Sequence, residues 1–342
     1  MWVGMSFELR FSQNSVNGRS AMSNTRRTEG KGITAVNQFV LNSPLLTPFL
    51  DFNDRTDSWD GNIFVYSDTT NKKTELAGKV PVQVKTSEVE AFSGEYKTIS
   101  LGVADLRNYR NDGGIILFGV ECCGNDTQIY YASLLPYDLV ETLKSLPKVQ
   151  KTRNVRLKRL DNTNELEDVL NDFLLHRKRQ FSLDGFVFPE DQIQEVMLQG
   201  HVPGHTSIEE KLLSKPQYLY GKKNANSLVW DCVVKVHIEA IRKLFKKPIQ
   251  LGGRVFYEQC DVVEKLDSVQ YIPNKNVKIE IKGYNLKIYY RLSGTLAEQR
   301  NDAHFLLTLV TEMLAEKNDM MPNQEEFHEF LVDLRDIHDY LN

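Results

Sequence analysis

Glu29, Asp60, Gln83 and Lys85 are, by type and by order along the chain, a set that could work on a phosphodiester. Residues 79–86 alternate, with Val80, Val82 and Val84 on one face of a strand and Pro81, Gln83 and Lys85 on the other. Side chains at i and i+2 of a strand project together, so Gln83 and Lys85 share a face, and an acid entering from a neighbouring strand, Asp60, can reach the same point. Oxygen ligands gathered there would hold Mg²⁺, and a lysine beside the attacking water would stabilise developing negative charge. Asp57, just upstream of Asp60, reads as a solvent-facing or turn-capping carboxylate. Trp59 beside Asp60 suits either packing or stacking on a base.

Other chemistry-bearing residues resolve into plainer roles. Glu280 and Lys282 form a second E-x-K downstream of Asp267, but Gly283 turns the chain at once into another strand, so they read as the polar face of a hairpin. His201 and His205 have the i, i+4 spacing of a helical metal pair, yet Pro203 and Gly204 between them break that helix. The chain has 4 Cys and no CxxC pair, too sparse for a disulfide framework or a zinc ribbon, and a reducing cytoplasm is the expected setting. Adjacent Cys122 and Cys123 suit strand-end packing. There is no GxxxxGK[ST] loop and no GxSxG elbow around Ser207 or Ser293, so neither a P-loop ATPase nor a serine hydrolase is indicated.

The elements that must position the set follow from periodicity. Residues 29–41 place Ile33, Val36, Val40 and Leu41 at helical spacing, and Asn42-Ser43-Pro44 ends the run. A short apolar segment at 48–52 and strands at 62–66, 79–86 and 95–101 follow. A helix over 103–109 closes at Asp112-Gly113-Gly114. The continuous apolar run 115–120 has the character of a strand covered on both faces. A strand at 128–134 and a helix at 136–146 complete a mixed α/β arrangement, a central sheet flanked by helices. Beyond it, a helix at 165–179, strands at 231–237, 254–263, 277–281 and 285–292, and helices at 303–317 and 324–341 read as an α+β second domain.

Glu29 and the segments SWDGNIFVY (58–66), GKVPVQVKTS (78–87), DLRNYRNDGGIILFGV (105–120) and IYYASL (129–134) together resemble the PD-(D/E)xK nuclease superfamily. More narrowly they resemble its QxK-type branch, found in bacterial anti-phage defence and mobile-element proteins, over residues 24–150. The resemblance implies a restriction-endonuclease-like fold and Mg²⁺-dependent (or Mn²⁺-dependent) cleavage of nucleic acid, DNA ahead of RNA, as the effector of a defence system. It implies Glu29 as the helix-borne acid, Asp60 as the central metal ligand, Gln83 as a ligand through its amide oxygen, the Val84 carbonyl as a further ligand, and Lys85 as the catalytic lysine. Gln83 stands where many members carry Glu, which removes one negative ligand. The competing reading is a non-catalytic module that keeps the nuclease fold to bind nucleic acid or a protein.

Charge and length frame these expectations. Lys+Arg 42 against Asp+Glu 46 gives a near-neutral chain of 342 residues, and no apolar run approaches the roughly 18 residues of a membrane span. Residues 144–159 carry Lys144, Lys148, Lys151, Arg153, Arg156, Lys158 and Arg159 with no acid among them. That stretch either tracks a phosphate backbone, through Lys151, Arg153 and Arg156, or is a solvated linker. The sign reverses after Asn318, where an acidic amphipathic helix at 324–341 either packs within its own domain or docks a regulatory partner or a second copy of the chain. The expected division is therefore a leader or expression-derived segment at 1–22, a nuclease-like domain at 23–150, and a sensing or assembly domain at 151–342.

Overall fold

The computed structural model describes residues 18–51, 58–144, 147, 150–181, 183, 188–202, 207–226, 229–283 and 285–316. The acidic helix expected at 324–341 lies outside these residues, as do Asp57, Lys148 and His205. Two units are distinguished. One comprises the described residues up to His201 together with Tyr218–Val234, and the other comprises Val202–Gln217 and the described residues from Lys235 onward.

The first unit opens with α1 (Gly18–Leu41), followed by β1 (Leu46–Leu50), β2 (Gly61–Tyr66), β3 (Leu76–Glu88), β4 (Tyr96–Gly102), α2 (Val103–Asn111), β5 (Ile115–Cys123), β6 (Asp126–Leu134), α3 (Pro136–Lys144), β7 (Thr152–Arg159) and α4 (Thr163–Gln180). The seven strands form one mixed sheet in the order β1-β2-β3-β5-β6-β7-β4. Neighbours run antiparallel except β3 and β5, which are parallel from Val82↔Ile116 to Glu88↔Cys122. The unit is a mixed α/β arrangement, and its apolar alternation explains why. Val80, Val82 and Val84 of β3 and Ile116, Phe118 and Val120 of β5 are buried with Ile33, Val36 and Val40 of α1 and Leu166, Leu170 and Phe173 of α4. On the opposite face Ile115 and Leu117 are buried with Leu106 and Tyr109 of α2, Leu139 of α3, and Val155 and Leu157 of β7. With helices on both faces, β5 has no wet side, which accounts for its unbroken apolar run.

Three sequence expectations change. The first helix begins at Gly18, well before Glu29. Strand β3 begins at Leu76, so Pro81 lies inside it; there β3 is flanked by β2 alone, because pairing with β5 starts only at Val82, and a missing N–H is tolerated on the open side. The third change concerns the basic stretch and the domain boundary. Residues 152–159 are strand β7, paired along its length with β4 from Tyr96↔Lys158 to Gly102↔Thr152. Buried Val155 and Leu157 alternate with its charges and anchor it in the sheet, so the boundary drawn at residue 150 falls inside the first unit, and the linker reading of this stretch is replaced. Gly119 of β5 permits the close packing there: a Cβ on it would sit 2.8 Å from Ile99 Cδ1 and 2.9 Å from Leu157 Cδ2.

After α4 come β8 (Glu195–Leu198), α5 (Ile208–Ser214), β9 (Gln217–Lys222) and β10 (Cys232–Val236), with β8, β9 and β10 forming a small sheet. The second unit holds β11 (Ile241–Phe245), β12 (Ile249–Leu251), β13 (Arg254–Tyr257), β14 (Cys260–Glu264), β15 (Val269–Ile272), β16 (Val277–Lys282), β17 (Asn285–Tyr290) and α6 (Leu296–Glu316). Five of these strands make an antiparallel sheet, β11-β14-β15-β16-β17, and β12 and β13 form a hairpin. Phe305 and Leu306 of α6 pack with Phe256, Val277 and Ile279. Among the described residues no helix is long and apolar enough to cross a membrane.

Candidate active site

The hairpin of β2 and β3 sets the position of Asp60. Pairing of β2 with β3 starts at Gly61↔Val82, so beyond Val82 no strand among the described residues pairs with β3 on that side, and the edge is open in that sense. Asp60 extends the ladder into this gap. Its backbone N–H donates to Val82 O at 2.9 Å, and its carboxylate Oδ2 accepts the Val84 N–H at 2.7 Å. Gly61 makes the approach feasible: its φ is +132°, and a Cβ there would lie 2.0 Å from the Phe49 carbonyl oxygen.

Gln83 is buried, and both ends of its carboxamide are engaged. Its Nε2 donates to Asp60 Oδ2 at 2.7 Å, and its Oε1 accepts the Tyr109 hydroxyl at 2.9 Å. Burial, then the charges of Asp105 and Asp60, raise the Tyr109 phenol well above its ordinary value, so it stays protonated and able to donate. Helix α2 is fixed against this point from several sides. Ser58, at φ 76°, donates to Asp105 Oδ1 at 2.8 Å and accepts from Asn108 Nδ2 at 3.1 Å. Trp59 packs edge-on against Tyr109, with ring centroids 6.1 Å apart, and so serves as a packing residue of this face.

Lys85 follows on the same face of β3, exposed, and makes no ion pair among the described residues. Glu29 is placed differently. It is exposed on α1, which packs on the valine face of β3, whereas Gln83 projects to the face covered by α2. Its neighbours on α1 mark the location: Thr28 Oγ1 donates to Glu88 Oε1 at 3.0 Å and Lys31 Nζ lies 3.7 Å from the same oxygen. Asp60 and Gln83 are thus brought together with Lys85 beside them, while Glu29 stands at the end of β3 on the other layer, outside the Asp60–Gln83–Tyr109 network.

The donor set facing the open edge is all oxygen apart from the amide nitrogen. A residue in a strand directs its N–H and C=O to the same side, so the Val84 carbonyl shares this edge with Asp60. Turning the Gln83 carboxamide over would present Oε1 to this edge and Nε2 to Tyr109, whose hydroxyl can accept as well as donate. The carboxylate, carboxamide and carbonyl oxygens are donors of the type a hard divalent cation takes, with more neutral oxygens than charged ones; among the described residues no cluster of three or more His, Cys, Asp and Glu side chains could hold a metal ion.

A second polar cluster lies further along the same face and went unseen in the sequence. Buried Glu121 of β5 accepts from Lys97 Nζ at 2.7 Å, from Ser93 N and Oγ at 2.7 Å each, and from the Tyr130 hydroxyl at 3.1 Å. Lys97 also donates to Ser87 of β3 at 2.8 Å. Burial alone raises the Glu121 carboxyl, but the hydrogen bonds from Lys97 and Ser93 outweigh it and hold it below the usual range. Every acceptor site here is taken, so the cluster is a structural tie between β3, β4, β5 and β6. Tyr109 carried a faint sequence signal, being i+4 from Asp105 on α2; Glu121 carried none, because it sits inside an apolar run.

The basic residues of β7 divide between the two faces of the sheet. Arg153 is half-buried on the side of Val155 and Leu157, whereas Arg156 is exposed on the opposite side with its guanidinium 3.6 Å from the centre of the Tyr96 ring. Lys151 precedes the strand and is exposed, and Lys158 pairs with Glu165 at 2.7 Å. In the second unit Glu280 accepts from Gln270 Nε2 at 2.7 Å and from the Tyr289 hydroxyl at 3.1 Å, and Lys282 pairs with Asp267 at 2.5 Å. These are cross-strand and turn contacts of a hairpin. No known protein family, curated protein or solved structure matches the chain.

Proposed function

We propose that the first unit is a divalent-metal-dependent nuclease, acting on DNA ahead of RNA. The observation that carries this reading is the contact between Asp60 and Gln83 on the open edge of β3, with Lys85 two residues further along the same face. Asp60, the Gln83 amide oxygen and the Val84 carbonyl would hold Mg²⁺ or Mn²⁺, which when bound polarises a phosphoryl oxygen and supplies an activated water. Lys85 is exposed on this face, where it would meet the substrate phosphate and stabilise negative charge as the bond to the leaving oxygen lengthens. Tyr109 fixes the depth of the Gln83 carboxamide and satisfies whichever end of it faces inward. Glu29 would act from the other layer, at the end of β3. The order of the elements, an acid-bearing helix, an antiparallel hairpin with Asp60 before its first strand, and a parallel partner strand reached through α2, supports the restriction-endonuclease-like reading; a defence role is proposed from the sequence resemblance alone. The second unit would then sense a signal or assemble with a regulatory protein or another copy of the chain.

One observation favours a non-catalytic nucleic-acid or protein-binding module instead: the Gln83 amide already satisfies Asp60 and Tyr109 as a closed hydrogen-bonded network. Incubation of the purified protein with supercoiled plasmid, linear DNA and RNA, in Mg²⁺ or EDTA, separates the two. The nuclease reading expects Mg²⁺-dependent cleavage that Lys85→Ala abolishes with an unchanged melting temperature, since an exposed strand lysine contributes little packing. Absence of cleavage by the unaltered protein, with nucleic acid still bound, would leave the binding module.

A further inference from the structure

Helix α2 has two working faces. Leu106 and Tyr109 point into the sheet, and Tyr109 reaches Gln83; exposed Arg107, Arg110 and Asn111, with buried Val103 beneath them, line a groove of about 340 Å³ closed by Leu143 of α3, Pro147 and Gln150. Both guanidiniums are exposed, and neither makes an ion pair among the described residues. The acids nearby are engaged elsewhere: Asp105 accepts from Ser58, Asp112 lies 3.6 Å from Arg177 Nη2, and Glu141 pairs with Lys144 at 2.6 Å. Gln150 spends one amide N–H on the Thr152 carbonyl. Two arginines at i and i+3 over an apolar floor form a pocket for a planar or tetrahedral oxyanion, since the guanidinium fork matches phosphate bidentately.

We propose that Arg107 and Arg110 bind backbone phosphates of a nucleic-acid strand and hold it across α2. This rests on the nuclease reading for its substrate and adds a site to it. Two exposed guanidiniums on the same helix that positions Gln83 favour a nucleic-acid strand that also reaches the Asp60 edge over an acidic peptide held at the groove alone.

The test is fluorescence anisotropy of labelled DNA and RNA duplexes over a salt series with EDTA present, comparing the full-length protein with R107A/R110A. Polyglutamate and inorganic phosphate serve as competitors, and circular dichroism checks that the variant is folded. Loss of two phosphate contacts predicts binding weaker by about tenfold at 0.1 M salt and a log–log salt slope smaller by about two. An unchanged slope in a folded variant would overturn the proposal, as would failure of the unaltered protein to bind either duplex, or displacement of the duplex by polyglutamate at equal charge. Saturable, variant-sensitive binding of inorganic phosphate without duplex binding would also overturn it, as a small-anion site. Mg²⁺-dependent plasmid cleavage, measured separately, decides the nuclease reading whichever way the groove falls.

Discussion

Gln83 carries the chemical argument at the scale of single residues. With no cation between them, a carboxylate and an amide N–H₂ satisfy each other at 2.7 Å, while two carboxylates would repel. Gln83→Glu therefore exchanges a donor for a like charge beside Asp60. The expected result is a loss of about 1–3 kcal/mol in EDTA, read as a lower melting temperature. Mn²⁺ at a hundred times its dissociation constant should restore about 2.7 kcal/mol of that stability. A melting temperature that Mn²⁺ leaves unmoved in both proteins would remove the metal from this edge. Lys85 needs no such argument from packing, because its exposure leaves only its charge to matter.

Among the elements, β3 and β5 are the frame of the first unit, and the Glu121 cluster ties their ends to β4 and β6. Glu121 has its carboxyl lowered in the folded state, so its contribution is fully present above the unfolded value, about 4.3, and is lost as pH falls through the lowered one. Glu121→Gln leaves Lys97, whose side chain is only 11% exposed, without its counter-charge. Removing one partner of a buried pair costs about 3–5 kcal/mol. Melting curves from pH 7 down to pH 3 should show that gap at neutral pH and its closure in acid, as the unaltered carboxyl takes up its own proton. A gap that stays constant with pH would mean the cluster is held by its neutral hydrogen bonds alone.

For the whole molecule, the position of the first unit's end makes a sharp prediction. A chain stopped after residue 150 lacks β7, the strand on which β4 pairs, and the α4 residues Leu166, Leu170 and Phe173. Each such side chain is worth roughly 1.5–3 kcal/mol of burial, against a total stability of about 5–15 kcal/mol for a domain. That fragment should show no cooperative melting, whereas one ending at Val236 should melt cooperatively; folding of the shorter piece would refute the division. The sequence by itself determined the alternation of β3, the buried run of β5 and the presence of helices at α2 and α4, because each is written in the period of neighbouring residues, while the expectation that Asp60 meets Gln83 rests on the resemblance. Tertiary structure alone decided the rest. The basic run became a strand because Val155 and Leu157 find a distant face to bury against, a partner no local pattern specifies. Glu29 fell on the far layer because which face a helix covers depends on packing across the sheet. Tyr109 and Glu121 gained their partners from residues far apart in the chain, and Arg107 and Arg110 became a site only when α3 and Gln150 closed a groove around them.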